Sequence, residues 1–175
     1  MTEPVNLREW KPSDRSVLAG RLFTCGRPGR GTFGRDRVRV PDDVIEQWLD
    51  GLPDAEVLHI VSLLGHKVSG YSEFGYYPFR SSTEPGSRPT LQEWLKNGHK
   101  RPIAIHECPT VDARAIPPDV LDAAARKVLG LLDEGATVVV LDSAGAERTR
   151  AVCQKLGYSP ANWPTDSKCR DVEAQ

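Results

Sequence analysis

The fold is decided by residues 137–158, which read TVVVLDSAGAERTRAVCQKLGY. Residues 137–141 are β-branched or leucine, a composition typical of a buried parallel strand. Residues 142–147 form a loop of mostly small side chains, and residues 148–156 are predicted to be a helix that ends at Gly157. A strand, a tight loop and a helix in this order direct backbone N–H groups towards one point. The stretch therefore predicts an anion site built from main chain.

Outward from this stretch, the chain alternates between predicted strands and helices. Strands are predicted at 22–24, 38–40, 57–64 and 103–106, and helices at 41–52, 90–97 and 118–134. This alternation indicates an α/β fold with a central, mostly parallel sheet flanked by helices. Ligands of such sheets bind beyond the carboxyl ends of the strands, and Asp142 directly follows the strand at 137–141.

The length and charge of the chain limit the classes of function. With 175 residues and a net charge of −1, the chain fits one domain and does not resemble a basic nucleic-acid binder. We divide it into an N-terminal extension at 1–20, a domain at 21–158 and a C-terminal tail at 159–175. No apolar run has the length of a membrane span, and the start of the chain lacks the apolar core of a signal peptide. We therefore expect a cytoplasmic protein with neither nucleic acid nor membrane as a partner.

Cysteine usage predicts neither disulfides nor a metal. Cys25, Cys108, Cys153 and Cys169 are scattered, without the paired spacing of zinc ligands. We expect each of them to be a reduced, small hydrophobic side chain. No metal and no cofactor are expected, and His59, within a predicted strand, is interpreted as a core histidine.

Two segments between the predicted elements each allow two interpretations. Residues 26–41 include arginines at 27, 30, 35, 37 and 39, which would either meet an anionic ligand or pair with surface carboxylates. Residues 65–89 contain five aromatic side chains, which would either pack on the core or line a pocket.

The loop sequence has a recognisable pattern. From Asp142 to Thr149 it reads D-S-A-G-A-E-R-T. It resembles the phosphate loop of the cysteine-dependent protein tyrosine and dual-specificity phosphatases, whose pattern is H-C-x-x-G-x-x-R-[ST]. Gly145, Arg148 and Thr149 stand at matching positions. Leu141 stands at the histidine position, and Asp142 stands where the family has its nucleophilic cysteine.

The resemblance extends over roughly residues 20–158 and implies a compact dual-specificity-phosphatase-like fold. In that family a loop aspartate about thirty residues before the cysteine is the general acid, and Asp112 holds this position relative to Asp142. The family's chemistry implies that Arg148 would clamp phosphate and Thr149 would supply a hydroxyl. The implied phosphate-binding loop consists of Ser143, Ala144, Gly145, Ala146, Glu147 and Arg148.

The aspartate at the nucleophile position leaves three hypotheses. An ionised Asp142 would repel a bound phosphate by roughly 4 kcal/mol per pair of unit charges at about 4 Å. In the first hypothesis Asp142 pairs with Arg148 within its own loop, and the protein is a pseudophosphatase that binds or scaffolds a phosphoprotein, another anionic ligand or a protein partner. In the second, Asp142 is itself a nucleophile of an active phosphoric monoester hydrolase. In the third, the chain is a plain protein-interaction domain without an anion site.

Overall fold

The computed structural model of the chain describes residues 5–13, 19–29, 42–64, 102–111 and 114–161. In these residues the elements are, in chain order, β1 (Arg8–Pro12), β2 (Arg21–Gly26), α1 (Asp42–Asp50), β3 (Leu58–Ser62), β4 (Ile103–Glu107), α2 (Pro118–Asp133), β5 (Thr137–Asp142), α3 (Glu147–Lys155) and β6 (Tyr158–Pro160). The predicted strand at 38–40, the predicted helix at 90–97 and the aromatic segment at 65–89 lie outside the described residues. The other predicted strands and helices are confirmed to within two residues at each end.

The six strands form one mixed sheet in the order β4-β3-β5-β2-β1-β6. The neighbouring strands β4, β3, β5 and β2 run parallel to one another, as the α/β pattern predicts. β1 pairs antiparallel with β2, and β6 pairs antiparallel with β1. The expectation of a mostly parallel sheet is therefore wrong for the sheet as a whole, although the α/β class is confirmed.

The two antiparallel strands lie in segments that the sequence analysis took for a loose extension and for the start of a tail. β1 buries only Trp10 fully, and its indole Nε1 donates a hydrogen bond to Thr24 Oγ1 at 3.0 Å. β6 has three residues and buries only Tyr158. Short strands with one buried side chain and a proline lack the apolar run that identified the central strands.

Alternate side chains of the central strands point to opposite faces of the sheet. Helices pack on both faces, so the core consists of two clusters. The cluster on the α1 side contains Ile45 and Leu49 of α1 together with Ile60, Val139 and Leu141 of the sheet. The cluster on the α2 and α3 side contains Leu132 of α2, Val152 of α3 and Val61, Val138 and Val140 of the sheet. Burial on both faces explains why residues 138–141 of β5 form a continuous apolar run.

Helix α2 leads into β5 and contains one exposed glycine in its interior. Pro118 occupies the first turn, where its missing N–H costs nothing, and Gly135 after the helix has a φ of 83°. A Cβ atom added at Gly130 would meet nothing within 4 Å.

Replacing Gly130 with alanine is expected to raise the free energy of unfolding by about 0.5–1 kcal/mol, because alanine loses less backbone entropy in a helix. Urea denaturation monitored by circular dichroism would measure the gain as a higher midpoint. Gly135→Ala is the matched control and should lower the midpoint, because its φ is unfavourable for alanine. An unchanged or lower midpoint for Gly130→Ala would contradict the prediction.

Candidate functional site

Asp142 ends the central strand of the parallel part of the sheet. β5 lies between β3 and β2, and the backbone of Asp142 is in register with Gly26 at the end of β2. The backbone N–H of Arg27 donates to the carbonyl of Asp142 at 3.0 Å. Although it is ionisable, Asp142 is only 2% exposed. A buried carboxylate needs hydrogen-bond partners, which decide what this site can do.

The partners of the Asp142 carboxylate are backbone N–H groups of its own loop and helix. Oδ1 accepts from the N–H of Ala144 at 2.8 Å and from the N–H of Gly145, and Oδ2 accepts from the N–H of Thr149 at 3.1 Å. We call these three backbone donors the amide cradle. The converging N–H groups predicted from the loop sequence are present, and they bind a carboxylate of the same chain.

The same contacts complete the start of α3. Ala146, the residue before the helix, has no side chain that could cap it. Oδ2 of Asp142 instead accepts the N–H of Thr149 in the first turn, where unpaired N–H groups and the positive end of the helix dipole favour an anion. Asp142 thus performs the capping role from a position several residues upstream.

Gly145 allows the loop to lie directly against the end of β2. Its φ is 69°, and Ala144 forms an isolated β-bridge with Gly26. A Cβ atom at Gly145 would lie 2.6 Å from the carbonyl carbon of Cys25 and 3.1 Å from its oxygen. Only glycine fits this position, because both the conformation and the space exclude a side chain.

Arg148 faces the ends of the neighbouring strands. Arg148 is buried, with 6% of its surface exposed. Its Nη1 donates to the carbonyl of Leu63 at 3.2 Å and to Thr110 Oγ1 at 2.9 Å. Thr110 Oγ1 donates in turn to the same Leu63 carbonyl at 2.6 Å. These bonds connect the start of α3 to the segment that follows β3 and to the segment that follows β4.

The hypothesised pairing of Asp142 with Arg148 needs correction. The carboxylate takes its hydrogen bonds from the amide cradle, whereas Nη1 of Arg148 is directed to Leu63 and Thr110. Backbone donors at the loop and helix are held in place by the fold, so they satisfy the carboxylate without the ordering of a long side chain.

The structure brings some of the predicted site residues together. Thr149 contributes its N–H to the amide cradle, while its hydroxyl donates to the carbonyl of Ala146 at 3.2 Å. Ser143 is buried, and Ala144, Ala146 and Glu147 are exposed. The general-acid position, Asp112, lies outside the described residues, as do arginines 30, 35, 37 and 39 of the basic segment.

Thr110 is a site residue that the sequence analysis missed. It is 5% exposed and accepts a hydrogen bond from Arg148, so the segment before position 112 lies beside the start of α3. A single threonine between a proline and a valine carries no periodic or charge signal. Only the tertiary contact identifies it.

None of the cysteines in the described residues is suited to act as a nucleophile. Burial, and to a lesser degree the charge of Asp142, raise the pKa of the Cys25 thiol well above its usual range. Burial also raises the pKa of Cys153 and of the half-buried Cys108. A protonated, buried thiol is a poor nucleophile, so these three cysteines are small hydrophobic side chains, as predicted. Cys169 lies outside the described residues.

Within the described ranges, no group of three or more His, Cys, Asp or Glu side chains is arranged to hold a metal ion. None of the helices described here has both the length and the hydrophobicity needed to cross a membrane. Comparison of the chain with protein-family models, with curated proteins and with solved structures gives no significant match.

Proposed function

We propose that this chain is a dual-specificity-phosphatase-like pseudophosphatase, a domain that binds or scaffolds a partner and does not turn over phosphate esters. The observation that carries the proposal is the Asp142 carboxylate, which accepts hydrogen bonds from Ala144, Gly145 and Thr149. The donors that would hold a substrate phosphate in such a loop are thereby occupied. The chain supplies its own anion at this position.

The order of elements supports the phosphatase-like part of the proposal. β4, a loop, α2, β5, a tight loop and α3 follow one another as the resemblance implies. The hydrogen bond between Arg148 and Thr110 also brings the loop after β4 close to residues 142–148. In the family, this loop after β4 carries the general acid. The proposal includes a dual-specificity-phosphatase-like fold and a cytoplasmic location.

The contacts of Asp142 argue against its acting as a nucleophile. Both carboxylate oxygens accept N–H groups, so attack on phosphorus would require breaking these bonds at a residue that is 2% exposed. Enzymes that form aspartyl-phosphates also recruit a divalent cation through further carboxylates, and no suitable cluster occurs in the described ranges. Turnover by Asp142 is therefore the less favoured function.

A closed amide cradle also affects how a partner would bind. An anion can reach the N–H groups of the amide cradle only if the Asp142 carboxylate leaves them, and a second negative charge there would be repelled. The geometry therefore favours a protein partner bound at another surface over a phosphate bound in the loop. In a plain interaction domain, by contrast, replacing Asp142 would not expose an anion site, and this difference can be tested.

A titration with phosphate and vanadate tests the proposal. The wild-type protein should not bind either anion, whereas Asp142→Ser should bind both, because the shorter hydroxyl side chain leaves the amide cradle open. Isothermal calorimetry, or the rise in melting temperature with anion concentration, would measure binding. A phosphotyrosine peptide, titrated in parallel, would show whether a phosphoaryl group is accepted. If neither protein binds, the site is only architectural, and the phosphatase-like proposal fails.

A turnover assay separates the pseudophosphatase from the active enzyme. We expect no hydrolysis of an aryl phosphate above the rate without protein, and no phosphoryl group on Asp142 by mass spectrometry. Asp142→Asn is the control, because it is nearly isosteric and removes the charge. Turnover by the wild type that is abolished in Asp142→Asn would establish catalysis and overturn the proposal.

A further inference from the structure

Two histidines on neighbouring strands form a hydrogen-bonded pair away from the candidate site. His59 of β3 and His106 of β4 are diagonal neighbours, since His59 is in register with Ala104 and Val61 with His106. His59 Nδ1 and His106 Nε2 lie 3.1 Å apart, and both residues are half-buried. By strand alternation, both side chains lie on the α2 face of the sheet.

The rings lie in one plane and face each other edge to edge. Their planes differ by 3°, and their centroids are 5.4 Å apart. That separation equals the N···N distance plus the two distances from ring centre to nitrogen, so the N···N line passes through both ring centres. The contact is therefore a nearly linear N–H···N hydrogen bond in the ring plane, in which one imidazole donates and the other accepts.

This geometry depends on the number of protons that the pair holds. A neutral pair, or a pair with one added proton, retains a donor facing an acceptor. With two added protons, both facing nitrogens carry N–H groups, so the hydrogen bond is lost and two cations stand side by side. We propose that the His59–His106 pair is a proton-sensitive clasp between β3 and β4, closed near neutral pH and opened by mild acid.

The charged groups around the clasp oppose protonation. Lys127 of α2 is the cation that acts on His106 from the helix packed over this face, and it also acts on Cys108 at the end of β4. Burial, the charge of Lys127 and the charge of His59 lower the pKa of His106. No carboxylate acts on His106 to offset them among the described residues.

The direction of the pH effect follows from proton linkage. A histidine whose pKa is lowered by folding binds protons more tightly in the unfolded chain. Its contribution to stability is complete above the unfolded pKa of about 6.5 and is lost as the pH falls below that value. The fold should therefore lose this contribution as the pH falls from about 6.5 towards 5.5, above the range in which ordinary carboxylates titrate.

Thermal unfolding of the wild type and of the double variant His59→Gln/His106→Gln tests the clasp. Glutamine keeps a polar side chain at each position but does not titrate. Between about pH 7.5 and pH 5.5 the melting temperature of the wild type should fall by about 3 °C more than that of the double variant. His66 and His99 are present in both proteins, so their titration cancels. Equal falls in the two proteins would overturn the proposal.

Proton NMR of the histidine rings in the wild type gives a second measurement that does not depend on a variant. The His106 ring should take up its proton at lower pH than an ordinary histidine does. Lys127→Gln should move the proton uptake of His106 to higher pH. Titration of the His106 ring near the ordinary pKa of about 6.5, unaffected by Lys127→Gln, would show that the clasp does not exist.

Discussion

Gly145→Ala is expected to lower the free energy of unfolding by about 3 kcal/mol or more, because two costs combine in this variant. A φ of 69° costs a residue with a side chain roughly 1–2 kcal/mol, and the added Cβ would lie 2.6 Å from the carbonyl carbon of Cys25 and closer still to the nitrogen of Gly26. The neighbouring atoms are backbone of β2 and cannot move aside as a flexible side chain can, so overpacking adds about 1–3 kcal/mol.

Gly157→Ala is the matched control. Gly157 has a φ of 74°, almost the same conformation, but a Cβ there would meet nothing within 4 Å. It should therefore show only the conformational cost of about 1.5 kcal/mol. Thermal melts should show a fall of about 6–12 °C for Gly145→Ala and about 3–6 °C for Gly157→Ala. Equal falls would mean that the loop can move away from β2, contrary to the close packing described here.

The central strands and helices could be predicted because the pattern of apolar residues in the sequence follows their burial. β5 is buried on both faces, so residues 138–141 are all apolar. α2 begins at a proline and is followed by a glycine of positive φ, so both of its ends have local signals. Such elements can be identified from the sequence because burial and helix ends each favour particular types of residue.

The antiparallel edge and the partners of Arg148 could not be predicted in the same way. β1 and β6 each bury one side chain, Trp10 and Tyr158, and their pairing depends on residues roughly 150 positions apart, as in the register of Trp10 with Pro160. The hydrogen bond between Thr110 and Arg148 depends on where the segment after β4 meets α3. Such contacts follow from the tertiary fold, and no local pattern encodes them.

The loop itself was predicted in part. The strand–loop–helix order correctly indicated converging N–H groups, and the position of Asp142 indicated a self-filled anion site. Arg148, the one cation within residues 142–148, was nevertheless predicted as the partner of Asp142, and this prediction is wrong. The sequence does not show which acceptor the backbone donors will bind, and three of them reach the carboxylate. A prediction based on side-chain charges alone overlooks the main chain as the competing donor.

Asp142→Cys is expected to produce a thiol whose pKa lies well below the usual value of about 8.5. The sulfur introduced by this substitution would stand among the amide cradle donors and at the start of α3. Backbone N–H groups and a helix N-terminus favour a thiolate, and cysteines at such positions have pKa values of about 3.5–7.5. The new thiol should therefore react with iodoacetamide at about pH 6 roughly a hundredfold faster than an ordinary cysteine.

Wild-type protein is the control for this experiment, because it contains the same four native cysteines. Cys25 and Cys153 are buried with raised pKa values and should contribute little to alkylation in mild acid. Mass spectrometry would locate the modified peptide. Because a single sulfur is shorter than a carboxylate, it leaves part of the amide cradle uncovered, and vanadate should protect the new thiol from alkylation. A thiol that reacts only above about pH 8 and is not protected by vanadate would contradict the prediction. Asp142 would then have only a structural role, and the loop would not be a phosphate-binding loop.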